Sequence, residues 1–276
     1  MEYPVSEQHR GRQTKDGIRI YDPSDFAGMH AAGRLAAQIL DEIAEHVTVG
    51  QTTGALDRMI EEKVEAAGAK SATIGYKGYA HASCISVNHV VCHGIPGDKK
   101  LKDGDILNID VTVIVDGWYG DTSRMYVAGK LSRKAERLIQ VTHDSLMRGI
   151  DAVRPGNTFG DIGHAIQTYA ESHRMSVVTD FCGHGLGRVF HAPPNVLHYG
   201  RPGTGAVLEP GIFFTIEPMV NLGRAETKTL SDDWTAVTRD KSLSAQFEHS
   251  VGVTEDGCEI FTLSPAGRFH PTYQQD

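Results

Sequence analysis

Apolar residues recur at helical spacing in several parts of the chain. Between residues 24 and 46 they lie three to four positions apart, which places them on one face of a helix. A second helical pattern covers residues 53–67, and Gly68 follows where a left-handed glycine commonly ends a helix. Similar patterns predict two further helices, at residues 132–149 and 158–174.

Alternating patterns predict strands between and after these helices. ASCISV (82–87) is short, whereas DILNIDVTVIV (105–115) alternates apolar and polar residues along its length. Asp116-Gly117 then suits a two-residue hairpin turn, because both of its positions must tolerate positive φ. WYGDTSRMYV (118–127) is the expected partner strand, and a second strand-rich region extends from about residue 177 to 262.

Two short sequence repeats relate the halves of the chain. VTVGQTTG (47–54) resembles VRPGNTFG (153–160), and LKDGDILNID (101–110) resembles LEPGIFFTIE (208–217) at nearly the same offset. In one interpretation these are merely turns that begin helices and strands. In the other, two halves are related by a pseudo-twofold axis, and each contributes a carboxylate to a central site.

Composition narrows the class of protein. Of the 276 residues, 40% are hydrophobic and 22% are charged, as in ordinary globular domains. The net charge of −8 argues against broad binding to nucleic-acid phosphates, so no specific nucleic-acid partner is expected. Residues 1–20 are polar and aperiodic, which predicts a loosely ordered N-terminal extension before a single domain at residues 21–276.

Cysteine spacing and hydropathy predict a cytoplasmic protein. None of the four cysteines belongs to a CxxC pair, which argues against a structural zinc site. The sequence begins without an apolar signal segment, and no run of about 18 apolar residues predicts a membrane span. Reduced thiols, a cytoplasmic location and no membrane attachment are therefore expected.

The predicted hairpin would bring two aspartates together. Aspartate is disfavoured within strands, so Asp110 needs a reason to lie there. With a two-residue turn, Thr112 pairs with Asp121, and the two aspartates become diagonal neighbours with Cβ atoms roughly 7–8 Å apart. Each aspartate alone could be an ordinary surface or turn residue. Together they could converge on one cation, and without a cation they would repel each other.

Two glutamates in the second half extend this candidate metal site. Glu217 lies within the apolar stretch FFTIEPMV, where an unpaired carboxylate is costly to bury, and Glu248 begins another strand-like run. Either alone could be an exposed strand residue. With Asp110 and Asp121 they supply four negative charges, enough for two divalent cations. Such a set suits Mn, Fe(II), Co or Mg better than structural zinc.

The stretch FCGHGLGRVFHAPP (181–194) has two interpretations. Its glycines could cradle a phosphate, or its backbone could hold His184 and His191 as metal ligands or acid–base groups. The glycine spacing is GxGxG, whereas the dinucleotide fingerprint would need glycine at Arg188. Ala192-Pro193-Pro194 follows at once and prevents a long phosphate-binding helix from starting there. The histidine interpretation is therefore favoured.

Six separated motifs resemble those of one enzyme family. They are VCHGIP (91–96), NIDVT (108–112), GDTS (120–123), GHGLGRVFH (183–191), TIEPM (215–219) and QFEHS (246–250). In this order, over nearly the whole chain from about residue 18, they look like the type I methionine aminopeptidases. The resemblance implies the pita-bread fold, an α+β architecture of two pseudo-twofold-related α/β halves with a central antiparallel sheet and helices on the outer face.

The resemblance also implies a centre of two divalent metal ions, which could be Co, Mn, Fe(II) or Zn. The implied ligands are Asp110, Asp121, His184, Glu217 and Glu248. In the family pattern Asp121 and Glu248 bridge the two ions. Asp110 binds one ion, and His184 with Glu217 binds the other.

Further residues receive roles through the same motifs. Glu217 would be the general base, and His93 and His191 would contact the substrate and assist catalysis. The implied methionine pocket consists of Tyr76, Tyr79, Cys84, Phe190 and Trp234. Some members also hold a monovalent cation, here near Asn88, Val90 and Ser244.

The implied reaction is removal of the N-terminal methionine from newly made proteins and peptides, with a preference for small second residues. In the family, a hydroxide that bridges the two metals attacks the first peptide bond. The substrates would be nascent chains and peptides, and association with the ribosome is left open. The resemblance further suggests a monomer.

This chain departs from the family pattern at a few positions. Thr73 stands where some members have a cysteine in the pocket wall. Asn88-His89 and Ala192-Pro193 replace more acidic pairs near the site mouth, which predicts altered preference at later substrate positions. Rival classes are a prolidase or X-Pro aminopeptidase, which usually has an additional N-terminal domain, and a silent pita-bread binding module, which tends to lose ligands that this chain keeps.

Overall fold

The computed structural model describes residues 12–273, so most of the predicted N-terminal extension lies outside the described residues. Within them the helices are α1 (Phe26–Ile43), α2 (Thr53–Ala66), α3 (Arg133–Asp151) and α4 (Phe159–Ser172). The strands are β1 (Lys70–Ser71), β2 (Cys84–Val87), β3 (Val90–Cys92), β4 (Asp105–Val115), β5 (Trp118–Ala128), β6 (Ser176–Val177), β7 (Gly183–Gly185), β8 (Ala192–Val196), β9 (Phe213–Ile216), β10 (Met219–Asn221), β11 (Thr227–Thr229), β12 (Ala236–Thr238), β13 (Ser244–Gln246), β14 (His249–Val253) and β15 (Cys258–Ile260).

The four predicted helices form, and polar side chains cap the starts of α2 and α3. The hydroxyl of Thr52 accepts a hydrogen bond from the N–H of Ala55 (3.2 Å) at the start of α2. Ser132 does the same for the N–H of Ala135 (3.3 Å) at the start of α3. Gly68 has φ of +69° just beyond α2, which confirms its predicted place at the helix end.

The long hairpin β4–β5 has the predicted turn and register. Its turn residues, 116 and 117, have φ of +49° and +78°, as a two-residue turn between twisted strands requires. Thr112 is the partner of Asp121, and Asp110 is the partner of Ser123. The two aspartates are therefore diagonal neighbours on one face of the hairpin, as predicted.

The sequence repeat is also a structural repeat. In the first half, the N–H of Gly50 donates to the carbonyl of Leu101 (2.8 Å). In the second half, the N–H of Gly156 donates to the carbonyl of Leu208 (3.0 Å). An isolated bridge joins the same two segments in each half. Equivalent bonds at equivalent positions support the pseudo-twofold interpretation over the interpretation as unrelated turns.

The two halves meet where their longest sheets adjoin. The first sheet has the order β1–β4–β2, with β5 also paired to β4, and the second has the order β15–β14–β9–β7–β8. A bridge between Ser123 and Glu248 connects them, and the N–H of Glu248 donates to the carbonyl of Ser123 (3.0 Å). The strand pairs are antiparallel, and α1 packs on β4 and β5. The predicted α+β architecture is confirmed.

The described part of the predicted extension is not a free segment. The N–H of Ile20 donates to the carbonyl of Arg12 (2.8 Å), and Ile18 and Ile20 are buried in the core. Tyr21 then stacks on Phe213 at a centroid distance of 4.5 Å. The expectation of loose order is wrong for residues 12–20, because two apolar side chains in a polar stretch suffice to anchor it.

Candidate metal centre

Strand geometry brings the five predicted ligands to one cavity. Asp110 and Asp121 come from β4 and β5 in the first half. Glu217 follows β9, Glu248 precedes β14, and His184 lies in β7, all in the second half. All five line a cavity of about 370 Å³. The candidate centre therefore lies between the halves, as the repeat suggested.

The shortest distances define a compact core of this cluster. One ligand atom each from Asp121, His184 and Glu248 lie within 4.8 Å of one another. The Nε2 atom of His184 is 3.4 Å from Asp121 Oδ2 and 3.8 Å from Glu217 Oε1. Asp110 Oδ1 is shielded from solvent and has no hydrogen-bond partner among the described residues. A buried carboxylate oxygen without a donor is suited to a cation.

Burial and mutual repulsion shift the pKa values of the carboxyl groups. Burial, with the neighbouring charges of Asp121 and Glu217, raises the pKa of Asp110 well above its usual range. Burial and the carboxylates around it do the same to the pKa of Glu248. Burial raises the pKa of Glu217 to about 7, against the opposing effect of His184. The metal-free cluster therefore retains protons at pH values where isolated carboxyl groups are ionised.

The ring of His184 is oriented so that one of its nitrogen atoms can bind a metal ion. Its ring nitrogen Nδ1 is 3.1 Å from the carbonyl of Gly185, which can accept a hydrogen bond and leave Nε2 facing the carboxylates. Burial alone would lower the pKa of His184, but the hydrogen bond with Asp121 and the charges of Glu217 and Asp121 raise it overall. An oxygen-rich set with one imidazole fits divalent cations such as Mn, Fe(II) and Co.

Metal affinity is expected to rise with pH between about 6 and 8, because ions must displace protons from this cluster. Below its pKa of about 7, Glu217 is mostly protonated and cannot serve as a carboxylate ligand, whereas above that pH its own proton no longer competes with the ion. Titration calorimetry with Mn²⁺ at pH 6.5, in buffers of different ionisation enthalpy, measures the protons released. Glu217→Gln is the control and should release fewer protons. A pH-independent affinity without proton release would contradict this prediction.

Polar residues around the cluster orient the candidate ligands. Thr112 donates to Asp121 Oδ1 (2.7 Å), and Thr215 donates to Glu217 Oε1 (2.8 Å). The same Thr215 hydroxyl accepts from the N–H of His184 (3.0 Å). Sequence reasoning missed these residues as supports. Strand alternation could have found them, because each threonine lies two positions from a candidate ligand and shares its face.

Glu217 has two further supports from more distant segments. The side-chain amide of Gln246 donates to Glu217 Oε2 (3.3 Å), and the N–H of Glu217 donates to His198 Nε2 (3.0 Å). His198 is fully buried, and burial lowers its pKa to about 3, so the ring is neutral and can accept this bond. Gln246 also lies two positions before Glu248 on the sequence. No pattern in the sequence around His198 predicted its contact with Glu217.

The glycine-rich stretch serves strand packing rather than phosphate binding. A Cβ atom on Gly183 would lie 2.4 Å from the carbonyl oxygen of Thr215, and one on Gly185 would lie 2.1 Å from that of Pro193. Glycine is therefore required for β7 to approach its two neighbours. Strand β8 follows instead of a helix, which agrees with the histidine interpretation.

The predicted substrate residues line the same cavity as the ligands. Tyr79 and Trp234 form one wall with ring centroids 4.9 Å apart, and Tyr76 and Phe190 form another at 4.9 Å. Cys84 is buried beside them, and burial raises the pKa of its thiol, which keeps it neutral. The side of the cavity next to the cluster is thus aromatic and sulfur-bearing.

Both remaining histidines face this cavity as neutral rings. Desolvation lowers the pKa of His93, whose ring lies edge-on to Phe181 at 5.5 Å. Burial also lowers the pKa of His191, aided by the nearby charge of His184. His191 Nδ1 is 2.8 Å from the hydroxyl of Tyr76, which fixes the ring orientation. Neutral imidazoles can both donate and accept hydrogen bonds.

Thr73 lines the cavity, and its hydroxyl donates to the carbonyl of His81 (2.7 Å). None of the four residues in the Asn88-His89 and Ala192-Pro193 pairs is among the described residues that line it. Their effect on later substrate positions stays a prediction. Residues that sequence reasoning missed also line this cavity: Lys77, Cys92, Thr112, Asp180, Phe181, Cys182 and Met219.

The three residues expected near a monovalent cation belong to neighbouring segments. The carbonyl of Asn88 accepts a hydrogen bond from the N–H of Ser244 (2.9 Å), and Asn88 has φ of +59°. Val90 begins β3, two residues further on. The proximity is as expected, and the cation itself stays a prediction.

Comparisons with known proteins agree with this geometry. The model of metallopeptidase family M24 matches residues 27–255. The chain is 57% identical to the methionine aminopeptidase of Rickettsia prowazekii over 257 residues, which cover 93% of this chain and 99% of the relative. The crystal structure of methionine aminopeptidase from Rickettsia prowazekii matches with a TM-score of 0.88 and 58% identity, over 89% of this chain and 100% of that chain.

A more distant structure shares the fold alone. Prolidase from Pyrococcus furiosus matches with a TM-score of 0.72 and 20% identity, over 88% of this chain but only 65% of that longer chain. The pita-bread fold and the family resemblance read from the six motifs are confirmed. The chain belongs to metallopeptidase family M24 and, within it, to the methionine aminopeptidases.

Proposed function

We propose that this chain uses the five-residue cluster to remove the N-terminal methionine from newly made proteins and peptides. The observation that carries the proposal is one cavity in which buried carboxylates and an imidazole adjoin an aromatic, thiol-bearing pocket. The cluster supplies a site for metal ions, and the pocket fits an apolar side chain. The identity with methionine aminopeptidases over most of the chain supports the same assignment.

The donor set fits two divalent cations. Four carboxylates balance the charge of two such ions, and Asp110 offers an oxygen that has no other partner within residues 12–273. Asp110, Asp121, His184, Glu217 and Glu248 would together hold the ions. When bound, the ions lower the pKa of water and polarise the carbonyl oxygen of the substrate.

The side chains around the cluster would direct the chemical step. Glu217 has its two oxygens oriented by Thr215 and Gln246, so one of them can accept the proton of the attacking water and return it to the leaving amine. His93 and His191 lie on the substrate side of the cavity and would hydrogen-bond the scissile peptide. Their neutral rings favour this role over that of a fixed charge.

The aromatic side of the cavity would select methionine. Tyr79, Trp234 and Phe190 offer ring faces and edges, and sulfur contacts with such rings are favourable. Cys84 and Thr73 complete the wall with small side chains. A preference for small residues after methionine would follow from the limited room next to the cluster.

The cellular setting is also part of this proposal. We expect a cytoplasmic monomer that acts on nascent chains, with ribosome association as a further expectation from the family. Among residues 12–273, no helix is both long and apolar enough to cross a membrane. We also propose that a monovalent cation binds near Asn88, Val90 and Ser244, as the family resemblance implies.

A peptide assay tests the substrate assignment. The chain loaded with Co²⁺ or Mn²⁺ is expected to cleave Met-Ala-Ser with kcat/KM at least about a hundredfold above that for an Ala-Pro peptide, because only methionine fills the aromatic pocket. Mass spectrometry of the products identifies the bond cleaved. Blocking the α-amine of Met-Ala-Ser by acetylation is the control and should stop the reaction. Preferential cleavage before proline would instead indicate a prolidase-like activity.

A further inference from the structure

A second cavity lies behind the strands that carry the candidate metal ligands. It encloses about 300 Å³, and its lining includes Arg124, His249, Leu263, Arg268, Phe269 and Tyr273. Arg124 follows Ser123 on β5, and His249 follows Glu248 at the start of β14. Successive strand residues point to opposite faces, so these two side chains point away from the metal centre. None of the six residues lines the larger cavity.

One guanidinium group in this cavity is only partly satisfied. Arg124 is 2% exposed, and its Nη1 donates to Asp41 Oδ1 (2.6 Å). Its Nη2 is shielded from bulk solvent and has no hydrogen-bond partner among the described residues. A buried charged donor without a partner costs more free energy than an exposed one. The cavity beside it has room for a ligand that accepts this bond.

The charged side chains of the described lining are two arginines. Arg124 and Arg268 both contribute guanidinium groups, and none of the described lining residues is acidic. Asp41 lies behind Arg124, where it also accepts from the hydroxyl of Ser264 (2.8 Å). His249 Nδ1 lies 2.8 Å from the Thr262 hydroxyl. Arg268 has its own partners, because its Nη1 donates to the carbonyl of Asp41 (2.8 Å) and its Nη2 lies 3.9 Å from Glu45 Oε1. Arg124 Nη2 is therefore the buried guanidinium nitrogen of the lining without a hydrogen-bond partner among residues 12–273.

Apart from Ser264 and His249, the remaining lining is largely apolar and partly open to solvent. Phe269 is 51% exposed and Leu263 is 44% exposed, although both are large hydrophobic side chains. Tyr273 is buried, and the guanidinium of Arg124 lies 5.1 Å from the centre of its ring. Exposed apolar surface marks interaction sites, and ligand pockets commonly combine apolar walls with a few polar or charged groups. Inorganic phosphate would leave these apolar surfaces uncovered.

We propose that this cavity binds a small organic monocarboxylate with an aliphatic or aromatic body. The carboxylate would accept hydrogen bonds from Arg124 Nη2 and from Arg268, and the body would pack against Leu263, Phe269 and Tyr273. Arginine pairs with carboxylates through parallel hydrogen bonds, which are stronger than neutral ones. The site would be distinct from the metal centre and would take a ligand that is not the peptide substrate.

Calorimetry with the full chain and benzoate as the probe tests this proposal. Saturable binding is expected both in the Mn²⁺-loaded protein and in the EDTA-treated protein. Benzyl alcohol, which lacks the charge, and inorganic phosphate, which lacks the body, should bind at least about tenfold more weakly. Binding that requires the metal would place benzoate at the metal centre and overturn the proposal. Equal binding of the alcohol or of phosphate, or no saturable binding, would also overturn it.

A charged substitution at the mouth of this cavity tests whether benzoate binds there. Phe269→Asp should weaken benzoate binding at least about tenfold by repulsion, and Phe269→Asn should weaken it less because it removes only apolar contact. Val49→Asp is the matched control, since Val49 is 53% exposed and does not line the cavity. All three variants change exposed residues and should keep wild-type cleavage of Met-Ala-Ser. Unchanged affinity in Phe269→Asp would show that benzoate binds elsewhere.

Discussion

Asp121→Asn is expected to lose both divalent-metal binding and peptide cleavage, with kcat/KM at least about a thousandfold below wild type. Asp121 has a central place in the cluster, because one oxygen accepts from Thr112 and the other is 3.4 Å from His184 Nε2. Asparagine has the same size, so the fold has little reason to change. It removes one negative charge and replaces an acceptor oxygen with a donor, which a cation cannot use.

Two measurements separate this effect from loss of folding. The metal content at fixed free Mn²⁺ should fall together with activity. The melting temperature of the EDTA-treated variant should equal or exceed that of wild type, because the charge of Asp121 raises the pKa of both Asp110 and Glu248 through repulsion. Asp180→Asn is the matched control, since Asp180 lines the cavity but is exposed and outside the cluster. A fully active, metal-free Asp121→Asn protein would refute the mechanism.

Much of the fold could be predicted because its strongest patterns are local. The alternation in β4 and the two-residue turn after it set the register of the hairpin, and with it the proximity of Asp110 and Asp121. The repeat predicted where Glu217 would lie relative to Asp110. Residues 12–20 were misjudged because anchoring depends on where Ile18 and Ile20 pack, which local polarity does not reveal.

The sequence did not predict those parts of the candidate site that depend on contacts between distant segments. His198 supports Glu217 from 19 residues away, and Gln246 does so from 29 residues away. Neither distance can be read from periodicity, because His198 follows β8 and Gln246 ends β13, and each meets Glu217 only through the tertiary packing of the second half. The five ligands were recognised through motifs, whereas their burial and mutual repulsion emerge only from the assembled cavity.

His184→Ala and His191→Ala are expected to fail in different ways, although the two rings are only 4.2 Å apart. His184 is 8% exposed and directs Nε2 at Asp121 and Glu217, so its loss should weaken divalent-metal binding at least about tenfold. His191 bonds to Tyr76 instead, so its loss should leave metal content unchanged and lower kcat about a hundredfold.

Metal analysis and steady-state kinetics on the same preparations decide between these roles. Saturating Mn²⁺ should restore part of the activity of His184→Ala, because weakened binding can be overcome by concentration. It should restore none in His191→Ala, where occupancy is already complete. His191→Gln, which keeps a hydrogen-bonding side chain, should recover more of kcat than His191→Ala. Equal metal loss in both alanine variants would contradict this division of roles. It would show that metal binding depends on how close each ring is to the cluster and not on the direction in which its nitrogen atoms point.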